Sequence, residues 1–411
     1  MSFDDFYKKI GFYIIKWLII NLLLGFLGAI FVLILKKGIV HLNDLIYNRY
    51  YLAPIIGSLI MAILVRYFDF RAKGLGTDLY IKYTKSEFPL KKPLRLLISK
   101  FFATSVTLGL IGIGGLVGPL LLIGSSMAIV INKVFNYFKV RIFNSQLDYR
   151  VLSICGAAAT LGPLLGAPLG GGIFASEILY KSSLDYNDLF PAILGSSFGY
   201  YFYHAFLPQP GLNIDLGLPE ASLKELLLLI FVASICGIIG QSFISIFDFI
   251  HNFFKRLKIK SFLKPLMAGC IVLIIMELFK VESFINTVGI NQLFFTPLRE
   301  GRMIVLVLFK ILLTMVIIAG GFSAAIVDTA LISGALTGNL LYYIFPNIPL
   351  PVLVIIGLSA TLSSIANIPL ATMVIVSEIF NLNLSLPVII GSIIGYLIGR
   401  PKAVFKYIRE E

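Results

Sequence analysis

Four carboxylates stand in apolar surroundings and are the first chemistry to account for: Asp78, Glu177, Asp328 and Glu378. An acid at low polarity is costly to ionise, so such groups carry protons, act on passing ions or satisfy helix ends. Asp78 follows Thr77 directly after Gly74 and Gly76, which suits the capping of a helix N-terminus. Glu177 and Glu378 each close a long uncharged stretch, which suits anchoring of structure better than contact with a substrate. Other chemistries lack their partners. Gly321-Phe-Ser323-Ala-Ala approaches a serine-nucleophile motif, yet no histidine falls in a long uncharged segment to act as its base, so no enzyme is expected. His41, His204 and His251 are scattered, and Cys155, Cys236 and Cys270 have no paired spacing. Neither a metal site, a cofactor nor a disulfide frame is expected, and the cysteines read as small core residues.

The elements that must position these acids belong to a membrane. Of 411 residues 58% are hydrophobic and 13% charged, against about 25% charged in soluble domains. Segments 101–132, 151–176 and 329–377 carry no charge at all, and each exceeds the ~20 residues a helix needs to cross ~30 Å of hydrocarbon. Further apolar runs cover 11–35, 51–65, 226–241, 265–276, 303–327 and 386–399. The expected fold is all-α and polytopic, with about ten or more embedded helices, several too short to span alone. Net charge is +13. The basic residues cluster in short loops beside apolar runs, as at Lys36-Lys37, Lys91-Lys92, Lys255 to Lys260 and the tail from Arg400. That placement reads as topology signal and lipid head-group contact, with no nucleic-acid partner. The N-terminus holds two aspartates, and no cleavage pattern follows the first apolar run, so no removable signal peptide is expected. The expected location is the cell membrane, multi-pass.

Sliding the chain by 201 residues brings two segments into register. Gly156-Ala-Ala-Ala-Thr160-Leu, Pro168-Leu and Ser176-Glu177-Ile178 fall over Gly357-Leu-Ser-Ala-Thr361-Leu, Pro369-Leu and Ser377-Glu378-Ile379, with nine of 23 positions identical. A weaker match lays Gly114-Gly115 over Gly320-Gly321 at an offset of 206. One transmembrane domain over 1–411 is expected, with halves at about 50–207 and about 222–400. The seam lies near 208–221, a stretch with Pro208, Pro210, Pro219, Gly211 and Gly217 and the acids Asp215 and Glu220. Duplicated membrane chains carry substrates near the midplane, where helices from the two halves break. Segment 101–132 holds six glycines and a proline, and 151–176 six glycines and two prolines. Interrupted backbone at that depth is tolerated where it is covered by protein or lines a watery cavity. The same glycines also let helices pack closely.

In this setting the motifs resemble those of the CLC family of chloride channels and transporters. Gly112-Ile-Gly-Gly-Leu-Val-Gly-Pro119 resembles the CLC segment with core Gly-Lys/Arg-Glu-Gly-Pro. Lys73-Gly-Leu-Gly-Thr77 resembles the first CLC signature, Lys-Gly-Ser-Gly-Ile-Pro, and Gly320-Gly-Phe-Ser-Ala-Ala-Ile-Val327 resembles Gly-Gly-Phe/Ile-Phe-Ala-Pro. Matches in family order run from Lys73 to about Pro401, and the chain ends about ten residues later, which implies a divergent member without soluble regulatory domains. The resemblance implies a CLC-like inverted-repeat bundle and a homodimer in the lipid bilayer. Each subunit would hold its own pore, where broken helices aim their amide ends at a small anion. Gly74, Gly76, Gly115 and Gly118 would bring backbone amides close to that ion.

Departures from the family pattern bear on mechanism. Val117 stands where the family has its gating glutamate, and Ile178, beside Glu177, where it has the internal proton-transfer glutamate. Both substitutions imply passive anion conduction without proton coupling. The alternative is a secondary transporter coupling an anion or another solute to protons through Asp78 or Asp328, and a relative that conducts nothing is a further outcome. Leu75 replaces a ligand serine, and Ser323, between Phe322 and Ala324, replaces a phenylalanine. Ala403 replaces the inward tyrosine, with Tyr407 the nearest substitute.

Overall fold

In hydrocarbon every backbone N–H and C=O must be bonded within its own segment, so uncharged runs of this length become helices. The computed structural model describes residues 3–85, 90–139, 143, 145–180, 184–208, 214, 216, 222–280, 290–299, 301–402 and 404. Among them stand sixteen α-helices and no named strand. The first eight are α1 (Phe3–Ile46), α2 (Ala53–Ile63), α3 (Thr77–Lys85), α4 (Pro93–Val106), α5 (Val117–Tyr137), α6 (Gln146–Leu165), α7 (Pro168–Glu177) and α8 (Tyr186–Phe206). The second eight are α9 (Leu223–Arg256), α10 (Lys264–Phe279), α11 (Ile290–Phe295), α12 (Gly301–Ala319), α13 (Val327–Leu341), α14 (Leu350–Ala366), α15 (Pro369–Ile379) and α16 (Leu386–Gly399).

The two sets repeat one plan. As α1 packs on α6 and α8, so α9 packs on α14 and α16, and the pairs α2 with α10 and α7 with α15 join the halves. The first half therefore begins with α1, earlier than the expected boundary near residue 50. The seam acids Asp215 and Glu220 lie outside the described residues.

Among the described residues, seven helical stretches are long and apolar enough to cross a membrane. Helices α14, α15 and α16 are apolar but only 17, 11 and 14 residues long. At 1.5 Å per residue, 11 residues cover about 16 Å, half of the hydrocarbon. Short helices of this kind follow from the expected breaks: Gly112 to Leu116 separate the α4 run from α5, and Gly166-Ala167 separate α6 from α7.

Close packing holds the short helices in place. Gly124 of α5 lies against Gly156 of α6, and Gly334 of α13 against Gly357 of α14, each facing the other's backbone carbonyl, where a β-carbon would collide. Cys155 and Cys236 are buried as expected, but Cys270 is exposed. It sits on α10, whose Ile274 and Leu278 also face outward, so lipid rather than protein is its solvent.

Candidate functional site: the interior helix starts

The first four N–H groups of a helix have no partner within it. Three helices receive one from a side chain at a polar boundary: Ser145 caps α6, Asp185 caps α8 and Ser222 caps α9 with Glu225 in return. Interior starts differ. The N-cap residues of α5, α7, α13 and α15 are Leu116, Ala167, Ile326 and Ile368, none with a side-chain acceptor.

Two of these starts are served from the opposite half. The Glu378 carboxylate accepts from Leu169 N (3.0 Å) and Gly170 N (2.8 Å) at the start of α7. The Glu177 carboxylate accepts from Leu370 N (3.1 Å) and Ala371 N (2.6 Å) at the start of α15. The repeat offset thus places each glutamate on its partner's helix, and both are structural anchors. Ile178, the adjoining position expected on a proton path, is fully buried among apolar side chains.

The starts of α3, α5 and α13 converge through three glycine-bearing loops. Gly74 N donates to Phe322 O (2.9 Å), and Gly115 exchanges two bonds with Ala325 (3.0 and 2.8 Å) in an antiparallel bridge. The expectation that the Gly74 and Gly115 amides face an ion is therefore corrected: they lace the loops of the two halves together, because interior backbone must be bonded. Gly76 and Gly118 pack against each other, Gly118 on the Leu75 carbonyl, with no room for a β-carbon at either. The bridge also corrects the weak repeat match: Gly115 faces Ala325, not Gly320 or Gly321, and α5 and α13 start 210 positions apart. The second connecting loop, 320–326, is two residues longer than 112–116, which accounts for part of that difference.

Asp328, in the first turn of α13, accepts the Leu116 N–H at the start of α5 (3.0 Å). Its carboxylate occupies the space a β-carbon on Gly115 would take. Lys36 of α1 and Lys310 of α12 are near enough to act on its charge. Val117 is wholly buried one position further along, and Leu75, Phe322 and Ala324 are buried at the same junction. The Ser323 hydroxyl is paired with Thr104 Oγ1 (2.8 Å), and its amide donates to Thr107 Oγ1 (3.2 Å) in the wider helical turn that ends the α4 run. Asp78 lies inside the first turn of α3 rather than at its N-cap. Ala403 and Tyr407 lie outside the described residues.

Lys100 was not singled out from sequence. It is completely buried in α4 and donates to Ala72 O (3.1 Å) and Gly74 O (2.7 Å) behind the first glycine loop. Because C=O and the following N–H point opposite ways across a trans peptide, this turns the Lys73 and Leu75 amides away from the ammonium. The available signal was its place one residue before the uncharged segment 101–132.

A cavity of about 630 Å³ opens onto this junction. Gly74 and Gly76 from one half and Gly320 and Gly321 from the other line it. Arg71, Lys73, Lys255 and Lys264 line it too, and Asp78 is the one carboxylate among its described lining residues. Burial, and after it the neighbouring Lys264, push the Lys73 amine below its ordinary value. A basic cavity lined by glycine loops from two repeated halves suits a membrane protein that handles small anions.

Comparison with known proteins agrees. The voltage-gated chloride channel family model matches residues 10–142 and 137–400. An uncharacterised protein of Methanocaldococcus jannaschii is 28% identical over 397 residues, 96% of each chain. A chloride/fluoride channel protein of Pseudomonas syringae pv. tomato is 24% identical over 274 residues, 63% of this chain and 58% of that one. Among solved structures, a CLC-type fluoride/proton antiporter has a TM-score of 0.82 at 20% identity, covering 96% of this chain and 98% of its own. A slow cyanobacterial chloride/proton antiporter has a TM-score of 0.77 at 19% identity, covering 94% of both. The chain belongs to the voltage-gated chloride channel (CLC) family, as a multi-pass membrane protein of CLC fold.

Proposed function

We propose that this protein conducts small anions such as chloride passively, without obligatory proton movement, between the basic cavity and the Asp328 end of the junction. The observation that carries this is the start of α13: it begins from the aliphatic Ile326 deep in the protein, with no side-chain cap of the kind that Ser145, Asp185 and Ser222 give to α6, α8 and α9. Amides left so can stabilise a passing anion without the tight hold of a full positive charge. Valine at position 117 neither carries a proton nor carries charge into the path. The chloride/fluoride channel relative supports an anion as the passenger. We further assign the protein to the cell membrane as a homodimer, each subunit with its own path.

A second reading rests on Asp328. Its carboxylate already sits on the α5 start, where protonation would release the Leu116 amide and link anion passage to a proton.

Purified protein in liposomes decides between them. Efflux of chloride, nitrate, fluoride and sulfate is measured with and without a pH gradient. Anion efflux with no uphill proton movement supports the passive reading; protons driven uphill by a chloride gradient sink it in favour of the second. No flux of any anion sinks both.

A further inference from the structure

A different region, on the outer surface, carries chemistry that anion passage does not use. The start of α4 and the end of α5 run side by side and enclose a groove of about 680 Å³. Its polar end holds Lys92, Arg95 and Lys133, all exposed, and no carboxylate is among its described lining residues. From that end an apolar row climbs the outer face of α4: Leu94, Ile98 and Phe102 are 54%, 41% and 55% exposed and four residues apart, one helical turn each. Val130 and Val134 line the groove from α5. Tyr137 and Phe138 flank its basic end and are 83% and 68% exposed.

Each part sits at a definite depth. The spans Pro93–Ile111 and Val117–Tyr137 begin and end at this groove, so its basic end lies at a membrane–water boundary and its apolar row within the hydrocarbon. Aromatic rings collect at such boundaries, and exposed bases there attract phosphate head groups at about 1 kcal/mol each. The adjoining surface extends the positive field: Arg66, Lys82 and Lys91 share a second hollow with Lys92 and Arg95. Arg71 in that hollow is held by Asp69 through three bonds of 2.7 to 3.2 Å and is already neutralised.

We propose that this groove binds one anionic phospholipid, its phosphate among Lys92, Arg95 and Lys133 and an acyl chain along Leu94, Ile98 and Phe102. The two features demand each other: a free phosphate has no use for the apolar row, and a zwitterionic lipid little for three bases in a groove with no carboxylate among its described lining residues. The site is separate from the anion path, so it stands whether or not the protein conducts.

Native mass spectrometry of the full chain in detergent tests this, with added phosphatidylglycerol, phosphatidylcholine of the same chains, and inorganic phosphate. Phosphatidylglycerol is expected to bind one copy tightly and phosphatidylcholine more weakly. Substituting Lys92→Gln together with Lys133→Gln should weaken phosphatidylglycerol by about 25-fold, two bases at ~1 kcal/mol each. Both side chains are exposed, so the fold should be unaffected, and an unchanged melting temperature verifies that. Phe102→Ser should lower affinity for long-chain more than for dihexanoyl phosphatidylglycerol. Equal affinity for the two head groups, or a double variant that binds as the parent does, overturns the proposal. Displacement of the lipid by millimolar inorganic phosphate would mark a free-phosphate site and overturn it as well.

Discussion

Two of the junctions between the halves treat the repeat differently. Where α7 meets α15 the symmetry is complete, since Glu177 and Glu378 each accept two amides from the other's helix. Where α5 meets α13 it is broken. Asp328 reaches the start of α5, but the position 210 residues earlier is Gly118, which has no side chain to return the bond. A glycine there admits the Leu75 carbonyl and leaves the α13 start without a reciprocal acid. The symmetric junction fills every amide and holds the halves together. The asymmetric one gives the α13 start no carboxylate from the other half, the difference on which the proposed anion path rests.

The largest expected effect sharpens the symmetric side. Glu177→Ala or Glu378→Ala leaves two helix-start amides unpaired and should each lower stability by about 1–3 kcal/mol. Thermal unfolding in detergent measures it, and a large loss at one site with none at the other would break the equivalence. At the asymmetric junction, Asp328→Asn keeps an acceptor for Leu116 but removes the charge. It should raise anion efflux about fivefold, the equivalent of ~1 kcal/mol of charge at a helix end, with little change in stability. Efflux equal to the parent would take Asp328 out of the path. Ser323→Ala removes the partner of Thr104 and should destabilise by about 1 kcal/mol. A permeability series that shifts with it would make the hydroxyl a ligand as well as a strut, whereas an unchanged series leaves only the strut.

Much of this was legible in the chain because it rests on periodic or composition-level features. Uncharged runs too long for a soluble core had to be membrane helices, and proline, threonine and glutamate shared at one offset had to be a duplication. The Glu177 and Glu378 anchors follow from that same offset. The pore-side details were less legible because they depend on which loop amide finds which carbonyl. Gly74 and Gly115 look like ion-facing glycines by motif, yet their N–H groups are spent on Phe322 and Ala325.

By itself, then, the sequence determined the solvent, the helical class and the two halves, since each depends on residue type and spacing alone. Only the tertiary structure decided that Lys100 lies behind the first glycine loop, that α5 and α13 start 210 positions apart, and that Asp328 crosses to the other half's helix. Those facts depend on close approach between segments up to more than two hundred residues apart, and a hydrogen bond across that distance leaves no periodic trace in the chain.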